Sequence, residues 1–379
     1  MPAAGVIMVD VDEATGWRID PLTLAPVLTD RRVAEDALAL AAPTDRLFLL
    51  PLLGRHEQAL TEAGRLLEDP EVRADPWRVL LLSAELYRWR QDGAAVERLQ
   101  ALAWKHARSR SRQASTLQQV GLQCFHTGLD DRAAACFELA LTMRRGFGDP
   151  QLIENTELAL RRVRQRLAFD AIVLAGGRGV RLGGSTGGAK AAVLLAGWPL
   201  ADHVLLAVSG AGNRIAVGPN RIALGSPVFC RELPPGTGPV AAIAEAAGRV
   251  RQPTVAVLAA DLPFVADALA GLREALSRDG HDVAVLVDTA GRTNYLASVW
   301  RTAALLQALD GLGELANRPV RALYQGRQIG HVPDFDALGA DVDTPADLAG
   351  ATERISRRSP GRLPAALLAW PRLELHSPS

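Results

Sequence analysis

A short apolar segment that runs directly into a glycine-rich loop is the feature that most constrains this chain. Residues 169–174, FDAIVL, have the pattern of a buried parallel strand. Seven glycines lie between Gly176 and Gly188, so the backbone there can turn sharply and approach a ligand without interference from a Cβ atom. Ligands of open α/β sheets bind at the carboxyl ends of the strands. The segment therefore predicts an α/β domain with its ligand site at this loop.

The loop also carries positive charge. Arg178, Arg181 and Lys190 lie in or just after it, and no acidic residue occurs between Ala171 and Ala201. Exposed N–H groups in a glycine-rich loop form a binding site for anions. We therefore expect a triphosphate as the ligand, and we expect Arg181 and Lys190 to contact it.

Two common phosphate-binding motifs do not fit this loop. The dinucleotide fingerprint G-x-G-x-x-G, started at Gly177, has Leu182 in its sixth position. The Walker motif G-x-x-x-x-G-K-[ST] has Ala189 and Ala191 in place of its second glycine and its hydroxyl residue. The alternative is a flexible surface loop with solvated arginines, which the strand running straight into the loop disfavours.

Length and composition limit the class of protein. A chain of 379 residues is longer than one ordinary domain. It has 42 basic and 42 acidic residues, a balance that argues against a general nucleic-acid or membrane-surface binder. It lacks a run of roughly 18 apolar residues that could span a membrane, and its first residues do not resemble a secretory leader. We expect a cytoplasmic protein with no nucleic-acid or membrane partner.

The region from Arg31 to Arg166 has helical periodicity and an internal repeat. A fixed step of 37 residues relates several positions, which is typical of a helical solenoid. Three sets share this step: Leu47, Ala84 and Gly121; Gly54, Gln91 and Gly128; Ala59, Val96 and Ala133. Residues 114–144 resemble a tetratricopeptide repeat, although that family has a period of about 34. The resemblance implies a protein partner for this domain.

Beyond Arg166 the pattern changes to alternating strands and helices, which predicts an α/β domain with a mostly parallel sheet. We expect an N-terminal extension (1–30) with a short β excursion, an all-α helical-repeat domain (31–166), an α/β domain (167–355) and a poorly ordered tail (356–379). The expected strands are 171–174, 215–217, 254–259 and 283–287, and the expected helices are 200–208, 239–250, 266–277 and 302–309.

Asp261 is the strongest metal-ligand candidate. It follows the continuous apolar segment 254–260 directly and precedes a Leu-Pro turn. A carboxylate that faces a phosphate site is suited to Mg²⁺, which binds through one or two carboxylates plus phosphate oxygens. The alternative is that Asp261 caps the following helix. Asp341 and Asp343 are candidates for a second ligand, and capping by Asp343 or Thr344 ahead of a proline is their alternative.

Four motifs occur in the order and spacing of the nucleotidyltransferases: LAGGRGVRLGG followed by a lysine, RELPPGTGPVAAI, LAADLPF and DVDTPADL. Together they most resemble the molybdenum cofactor guanylyltransferases, over about half of the chain. The resemblance implies a Rossmann-like fold. It also implies an Mg²⁺-dependent enzyme that moves an NMP, with GTP the favoured donor, to a phosphorylated acceptor such as molybdopterin and releases pyrophosphate.

The resemblance also implies which residues bind the nucleotide: Leu174, Ala175, Gly176, Gly177, Gly179, Arg181, Lys190, Glu232, Gly238 and Asp261. Glu232 replaces an aspartate of the family, and no role transfers to Gly218. The segment STGGA before Lys190 is inserted relative to the family, and Ala189 replaces an aspartate there.

Catalysis of this reaction needs no protein nucleophile, because an acceptor phosphate attacks the α-phosphorus. We assign catalytic roles to Arg181, Lys190 and Asp261, and metal binding to Asp261 with Asp343 or Asp341. Arg292, Asn294 and Arg321 are weaker candidates for acceptor contacts, and a plain surface turn is an equal alternative. Two rival functions stay open: transfer to another phosphorylated small molecule, and a scaffold whose degenerate transferase domain only binds nucleotide.

Overall fold

The structure is a computed structural model that describes residues 16–146, 150–176, 190–219, 227–278 and 280–358. Contacts group the described residues into two compact units. The first contains the residues up to Leu129 together with Cys136–Arg162, and the second contains Asp130–Ala135 together with the residues from Val163 onward. Within the described ranges, no helix is both long enough and apolar enough to cross a membrane.

The described part of the first unit begins with the short β segment that the sequence predicts. Strands β1 (Trp17–Ile19) and β2 (Pro26–Leu28) pair antiparallel, and the Asp20 carboxylate accepts hydrogen bonds from the N–H groups of Leu22 (2.9 Å) and Thr23 (2.7 Å) in the turn between them. The helices that follow are α1 (Arg31–Leu40), α2 (Pro43–Leu52), α3 (His56–Glu68), α4 (Pro70–Ala74), α5 (Trp77–Trp89), α6 (Gly93–His106), α7 (Arg110–His126), α8 (Asp130–Arg145) and α9 (Pro150–Leu167).

The 37-residue step marks structurally equivalent turns. Gly54, Gln91 and Gly128 each lie between the two helices of a pair, α2–α3, α5–α6 and α7–α8, and each has a positive φ of 79°, 58° and 77° respectively. Glycine adopts this conformation without strain, whereas Gln91 does not. The predicted internal repeat is therefore a repeat of helical pairs, and its membership of the tetratricopeptide family remains a prediction.

Small residues in the repeat allow close helix packing. A Cβ atom at Gly121 of α7 would lie 2.5 Å from Phe137 Cε1 of α8, so glycine permits the contact between these two helices. Leu47 and Ala84, which share the step of Gly121, are also buried.

The second unit contains nine strands and five helices among its described residues. The strands are β3 (Phe169–Leu174), β4 (Leu194–Leu195), β5 (Trp198–Pro199), β6 (Arg214–Val217), β7 (Val228–Cys230), β8 (Thr254–Ala259), β9 (Val283–Asp288), β10 (Thr293–Arg301) and β11 (Ile329–Asp334). The helices are α10 (Leu200–Ala207), α11 (Pro239–Ala247), α12 (Leu269–Ser277), α13 (Thr302–Asp310) and α14 (Pro345–Arg358). Short 3₁₀ turns occur at Lys190–Ala192, Val265–Ala268 and Val320–Tyr324.

Seven strands form one sheet in the order β11-β9-β10-β8-β3-β6-β7. Strand β10 is antiparallel to both of its neighbours, and the other pairs are parallel. The predicted α/β class with a mostly parallel sheet is confirmed, as are the four expected strands and four expected helices, with shifts of a few residues at their ends. The strand prediction did not include β7, β10 and β11.

The carboxyl ends of the central strands are aligned because their amino ends are tied together. Asp170, fully buried at the start of β3, accepts hydrogen bonds from the N–H groups of Asn213 (2.7 Å), Arg251 (2.6 Å) and Gln252 (3.1 Å). These three residues precede β6 and β8. A buried carboxylate satisfied by several backbone donors is stable in the interior, so Asp170 fixes the relative register of β3, β6 and β8.

Candidate active site

A cavity of about 550 Å³ lies at the carboxyl ends of β3, β6 and β8. Its wall also includes the first turn of α11 and the 3₁₀ turn that begins at Lys190. Of the residues predicted to bind nucleotide, it is lined by Leu174, Ala175, Gly176, Lys190, Glu232, Gly238 and Asp261. The remaining three, Gly177, Gly179 and Arg181, lie outside the described residues.

Lys190 joins two carboxylates at the wall of this cavity. Its ammonium group donates hydrogen bonds to Asp261 Oδ2, two residues beyond the end of β8, and to Asp343 Oδ1, before α14. The side chain of Lys190 is 13% exposed and that of Asp261 is 17% exposed. Burial opposes the charged form of Lys190, but the hydrogen bonds and negative charges of Asp261 and Asp343 outweigh it and raise the pKa of Lys190. This lysine therefore stays charged at neutral pH.

Asp261 keeps one oxygen available for a ligand. Its Oδ1 atom is buried and has no hydrogen-bond partner among the described residues, while its backbone carbonyl accepts a hydrogen bond from the N–H of Val342 at 3.1 Å. A buried, unpaired carboxylate oxygen is costly, and a bound cation would satisfy it. The described residues contain no cluster of three or more His, Cys, Asp or Glu side chains suited to a metal. Two carboxylates nevertheless match a cation that takes its other ligands from phosphate and water.

The start of α14 is capped by Thr344 and Asp347. Thr344 Oγ1 accepts a hydrogen bond from the N–H of Asp347 (3.2 Å), and Asp347 Oδ2 accepts one from the N–H of Thr344 (2.8 Å). This reciprocal pair is a capping box. Of the two alternatives at this helix start, the cap is therefore Thr344, and Asp343 points its carboxylate to Lys190.

Asp341 is a third carboxyl group near this pair. Its loss of solvent raises its pKa, and the negative charges of Asp343 and Asp261 raise it further, against the lowering effect of Lys190. Lys190 is hydrogen-bonded to Asp343 and Asp261, which distinguishes Asp343 from Asp341 as the neighbour of Asp261.

A proline-containing loop forms the opposite wall. Glu232 Oε1 accepts a hydrogen bond from the N–H of Gly236 at 2.8 Å, and Thr237 Oγ1 donates one to the carbonyl of Pro234 at 2.9 Å. Gly238, with φ 98°, directly precedes α11. The internal bond to Gly236 fixes the Glu232 carboxylate at the cavity wall.

Gly218, which received no role from the sequence, is required by close packing. It follows β6 with φ 149°, and a Cβ atom there would lie 2.9 Å from the carbonyl carbon of Ala175 and 3.1 Å from the nitrogen of Gly176. Since these two residues line the cavity, any side chain at position 218 would displace the backbone that forms its wall. In the sequence, the glycine directly after the predicted strand 215–217 was the feature that could have indicated this close packing.

The acceptor-side candidates occupy three different environments. Arg292 lies in the β9–β10 turn, is exposed, and pairs with Asp288 at 2.8 Å, which is typical of a surface turn. Arg321 is exposed in a 3₁₀ turn. Asn294 hydrogen-bonds the backbone with both ends of its amide. Leu296, which sequence reasoning missed, lines the cavity instead.

A mostly parallel sheet with a glycine-rich sequence after β3 and a carboxylate close to the end of β8 is the arrangement expected of a nucleotidyltransferase. Residues 171–331 match the family model described as the MobA-like NTP transferase domain.

Two curated relatives belong to a more narrowly defined group of nucleotidyltransferases. A molybdenum cofactor guanylyltransferase from Acidiphilium cryptum is 32% identical over 195 residues, which cover 48% of this chain and 92% of that protein. One from Burkholderia ambifaria is 34% identical over 172 residues, covering 41% of this chain and 82% of that protein. The chain therefore belongs, through its C-terminal half, to the family of molybdenum cofactor guanylyltransferase-like nucleotidyltransferases, and it is an enzyme of that class.

Solved structures that match this chain include a nucleotidyl transferase from Methanothermobacter thermautotroptrophicus. It is 20% identical, with a TM-score of 0.42, and the match covers 51% of this chain and 99% of that one. A 2-C-methyl-D-erythritol 4-phosphate cytidylyltransferase from Thermus thermophilus is also 20% identical, with a TM-score of 0.37, covering 48% of this chain and 96% of that one.

Proposed function

We propose that this protein transfers GMP from GTP to a phosphorylated acceptor, molybdopterin, and releases pyrophosphate. The observation that carries the proposal is the pairing of Lys190 with Asp261 and Asp343 at a cavity whose buried Asp261 Oδ1 has no partner among the described residues. The names of the curated relatives support the choice of donor and acceptor.

Glu232 supports guanine as the base. Guanine presents two adjacent donors, N1–H and the 2-amino group, on its Watson–Crick edge, and a carboxylate accepts both. The same edges of adenine and cytosine place a donor beside an acceptor, which a carboxylate matches less well. Because Gly236 already holds Glu232 Oε1 at 2.8 Å, the carboxylate needs little reorganisation to receive the base.

Mg²⁺ is the metal we propose, held by Asp261 and Asp343. When bound, it would neutralise phosphate charge and orient the triphosphate. The residues present fit that role, since the Asp261 Oδ1 oxygen is unpaired in the described structure. The Lys190 ammonium lies beside both carboxylates, within reach of a phosphate bound next to them, and can offset negative charge on the leaving pyrophosphate. We assign the same role to Arg181, which lies outside the described residues.

The chemistry asks for positioning rather than for a protein nucleophile. An acceptor phosphate oxygen forms a bond to the α-phosphorus of GTP, and the bond from that phosphorus to the bridging oxygen of pyrophosphate breaks. The attacking oxygen is already anionic at neutral pH, so no side chain has to remove a proton. The cavity residues hold the two phosphates in line and exclude water.

The helical repeats suggest a separate role. We propose that residues 31–166 bind a protein partner, that residues 167–355 carry the transfer reaction, and that the enzyme acts in the cytoplasm. The inserted segment STGGA before Lys190 supports the two rival functions, a different phosphorylated acceptor or nucleotide binding without transfer.

Pyrophosphate release separates these three functions. The protein is incubated with Mg²⁺ and each nucleoside triphosphate in turn, with and without molybdopterin, and nucleotide binding is measured in parallel. Release that requires both GTP and molybdopterin is the expected result. Release with another phosphorylated acceptor would replace the substrate assignment, and tight nucleotide binding without release under any acceptor would favour the scaffold.

A further inference from the structure

Strand β10 contains an irregularity next to the cavity. Thr293 and Asn294 pair with Val287 and Leu286 of β9, but pairing resumes at Ser298, opposite Val285. Residues 295–297 are therefore extra on β10, while Ala297 still pairs with Leu258 of β8. Bulges of this kind bend a strand and redirect its side chains, and they are frequent beside active sites. Here the bulge contains Leu296, which lines the cavity.

Asn294 connects this bulge to residues 335–343, the segment that follows β11 and ends at Asp343. Its Oδ1 accepts the N–H of Leu296 at 3.0 Å, and its Nδ2 donates to the carbonyl of Gly339 at 2.7 Å. A single orientation of the amide satisfies both contacts, since one needs an acceptor and the other a donor. Asn294 has thus both polar ends engaged by backbone groups, which fits a positioning role better than contact with a substrate.

Asp334 holds the same segment from its other side. This buried residue at the end of β11 accepts hydrogen bonds from the N–H groups of Leu338 (2.7 Å) and Gly339 (2.8 Å). A Cβ atom at Gly339 would lie 2.9 Å from Leu286 Cδ1. Gly339 is therefore held through its N–H by Asp334 and through its carbonyl by Asn294, against the side chain of a β9 residue.

The segment is fixed again just before the carboxylate. The N–H of Val342 donates to the Asp261 carbonyl at 3.1 Å, and the capping box formed by Thr344 and Asp347 follows directly. Asp343 lies between these two fixed points. Its distance from Asp261 is consequently determined by the course of residues 335–342, which Asn294 and Asp334 hold.

We propose that Asn294 and Asp334 are positioning residues that set the geometry of the Asp261–Asp343 pair for a divalent cation, and that Asn294 links this pair to the cavity wall at Leu296. The proposal rests on the metal assignment of the proposed function. Partners that orient metal ligands without touching the metal typically contribute about 10- to 100-fold to metal affinity. Loss of the Asn294 amide should therefore weaken cation binding by about that factor.

The test measures Mn²⁺ binding to the full chain from the electron paramagnetic resonance signal of free Mn²⁺, alone and with a non-hydrolysable α,β-methylene GTP. Asn294→Leu keeps the approximate size of the side chain and removes both hydrogen bonds. Asp334→Asn, which removes one acceptor, is a second variant that keeps the test decisive if Asn294→Leu does not fold. Asn213→Leu is the matched control, because Asn213 contacts Asp170 at the opposite ends of the strands.

We expect Asn294→Leu and Asp334→Asn to bind Mn²⁺ about 10- to 100-fold more weakly, and Asn213→Leu to match the wild type even if its melting temperature falls. Turnover of Asn294→Leu should recover at saturating Mn²⁺. Wild-type affinity in both Asn294→Leu and Asp334→Asn, with binding lost in Asp343→Asn, would overturn the positioning role alone. Equal binding by Asp343→Asn and the wild type would overturn the metal assignment itself.

Discussion

Replacing Lys190 by methionine should change stability, metal binding and turnover in different directions. Methionine has a similar length but no charge, so Lys190→Met leaves Asp261 and Asp343 without the cation that lies between them. Removing one partner of a fully buried ion pair costs about 3–5 kcal/mol. Asp343 is 37% exposed, so screening by solvent reduces this, and we expect a loss of about 1–3 kcal/mol in the free energy of unfolding.

Divalent cations should restore part of that loss. The two carboxylates of Lys190→Met no longer share their charge with an ammonium group, so Mg²⁺ should bind them more tightly in the absence of nucleotide. A dissociation constant of about 1 mM would give about 1.4 kcal/mol of stabilisation at about 10 mM Mg²⁺. Turnover should nevertheless fall by about 10² or more, because the charge that offsets the leaving pyrophosphate is gone.

Urea unfolding with and without Mg²⁺, together with pyrophosphate release, measures all three effects. Lys105→Met is the matched control, since Lys105 is an exposed lysine of the helical unit, and it should behave as the wild type. The reasoning is refuted if Lys190→Met unfolds at the wild-type urea concentration, responds to Mg²⁺ no more than the wild type does, and retains full turnover.

Three further predictions concern single residues elsewhere. Gln91→Gly should raise the free energy of unfolding by about 1 kcal/mol, because Gln91 is exposed with φ 58° where its repeat equivalents are glycines. A urea titration that shows no gain in stability would contradict the backbone strain inferred at Gln91. Burial lowers the pKa of His203 to about 4, although the backbone of Leu195 and Trp198 accepts hydrogen bonds from its imidazole and opposes this shift. Because this pKa lies below the value in the unfolded chain, the contribution of His203 to stability is full above about pH 6.5 and is lost as the pH falls toward about 4. Between about pH 7.5 and 4.5 this amounts to about 2–3 kcal/mol, and His203→Gln should lose that much less stability over the same range in urea titrations; an unchanged pH dependence would count against it. Gly218→Ala should weaken nucleotide binding, measured by calorimetry, by about tenfold or more through displacement of the Ala175–Gly176 backbone, whereas wild-type affinity would show that this wall can move freely.

Local sequence signals were sufficient to predict a strand and its carboxyl end where the strand is apolar and a glycine or an aspartate follows it. The apolar segment before Gly176 and the one before Asp261 each predict a strand and mark its carboxyl end, and β3 and β8 occur there. Parallel neighbours bring such ends to one edge of a sheet. The α/β class and the helical first half followed from periodicity for the same reason, because burial of one face imposes it along each element.

The sequence prediction failed where pairing depends on distant partners. Strand β11 is an edge strand with Pro333 and exposed positions, so its apolar signal is weak. The bulge in β10 arises from its simultaneous pairing with β8 and β9, and no local pattern reports two registers at once. Leu296 and Asn294 therefore acquire their positions only in the assembled sheet.

The sequence alone determined the element types, the 37-residue repeat and the residue types at each strand end, because these depend on short-range periodicity and on the conformational freedom of glycine. Only the tertiary structure decided that Lys190, Asp261 and Asp343 meet although 71 and 153 residues separate Lys190 from its two partners. It also decided that Thr344 caps α14, that Gly218 packs on the backbone of Ala175 and Gly176, and that Asn294 turns its amide to Gly339. Each of these contacts joins elements that are remote in the chain or competes with an equally plausible local bond, and only the three-dimensional packing selects between them.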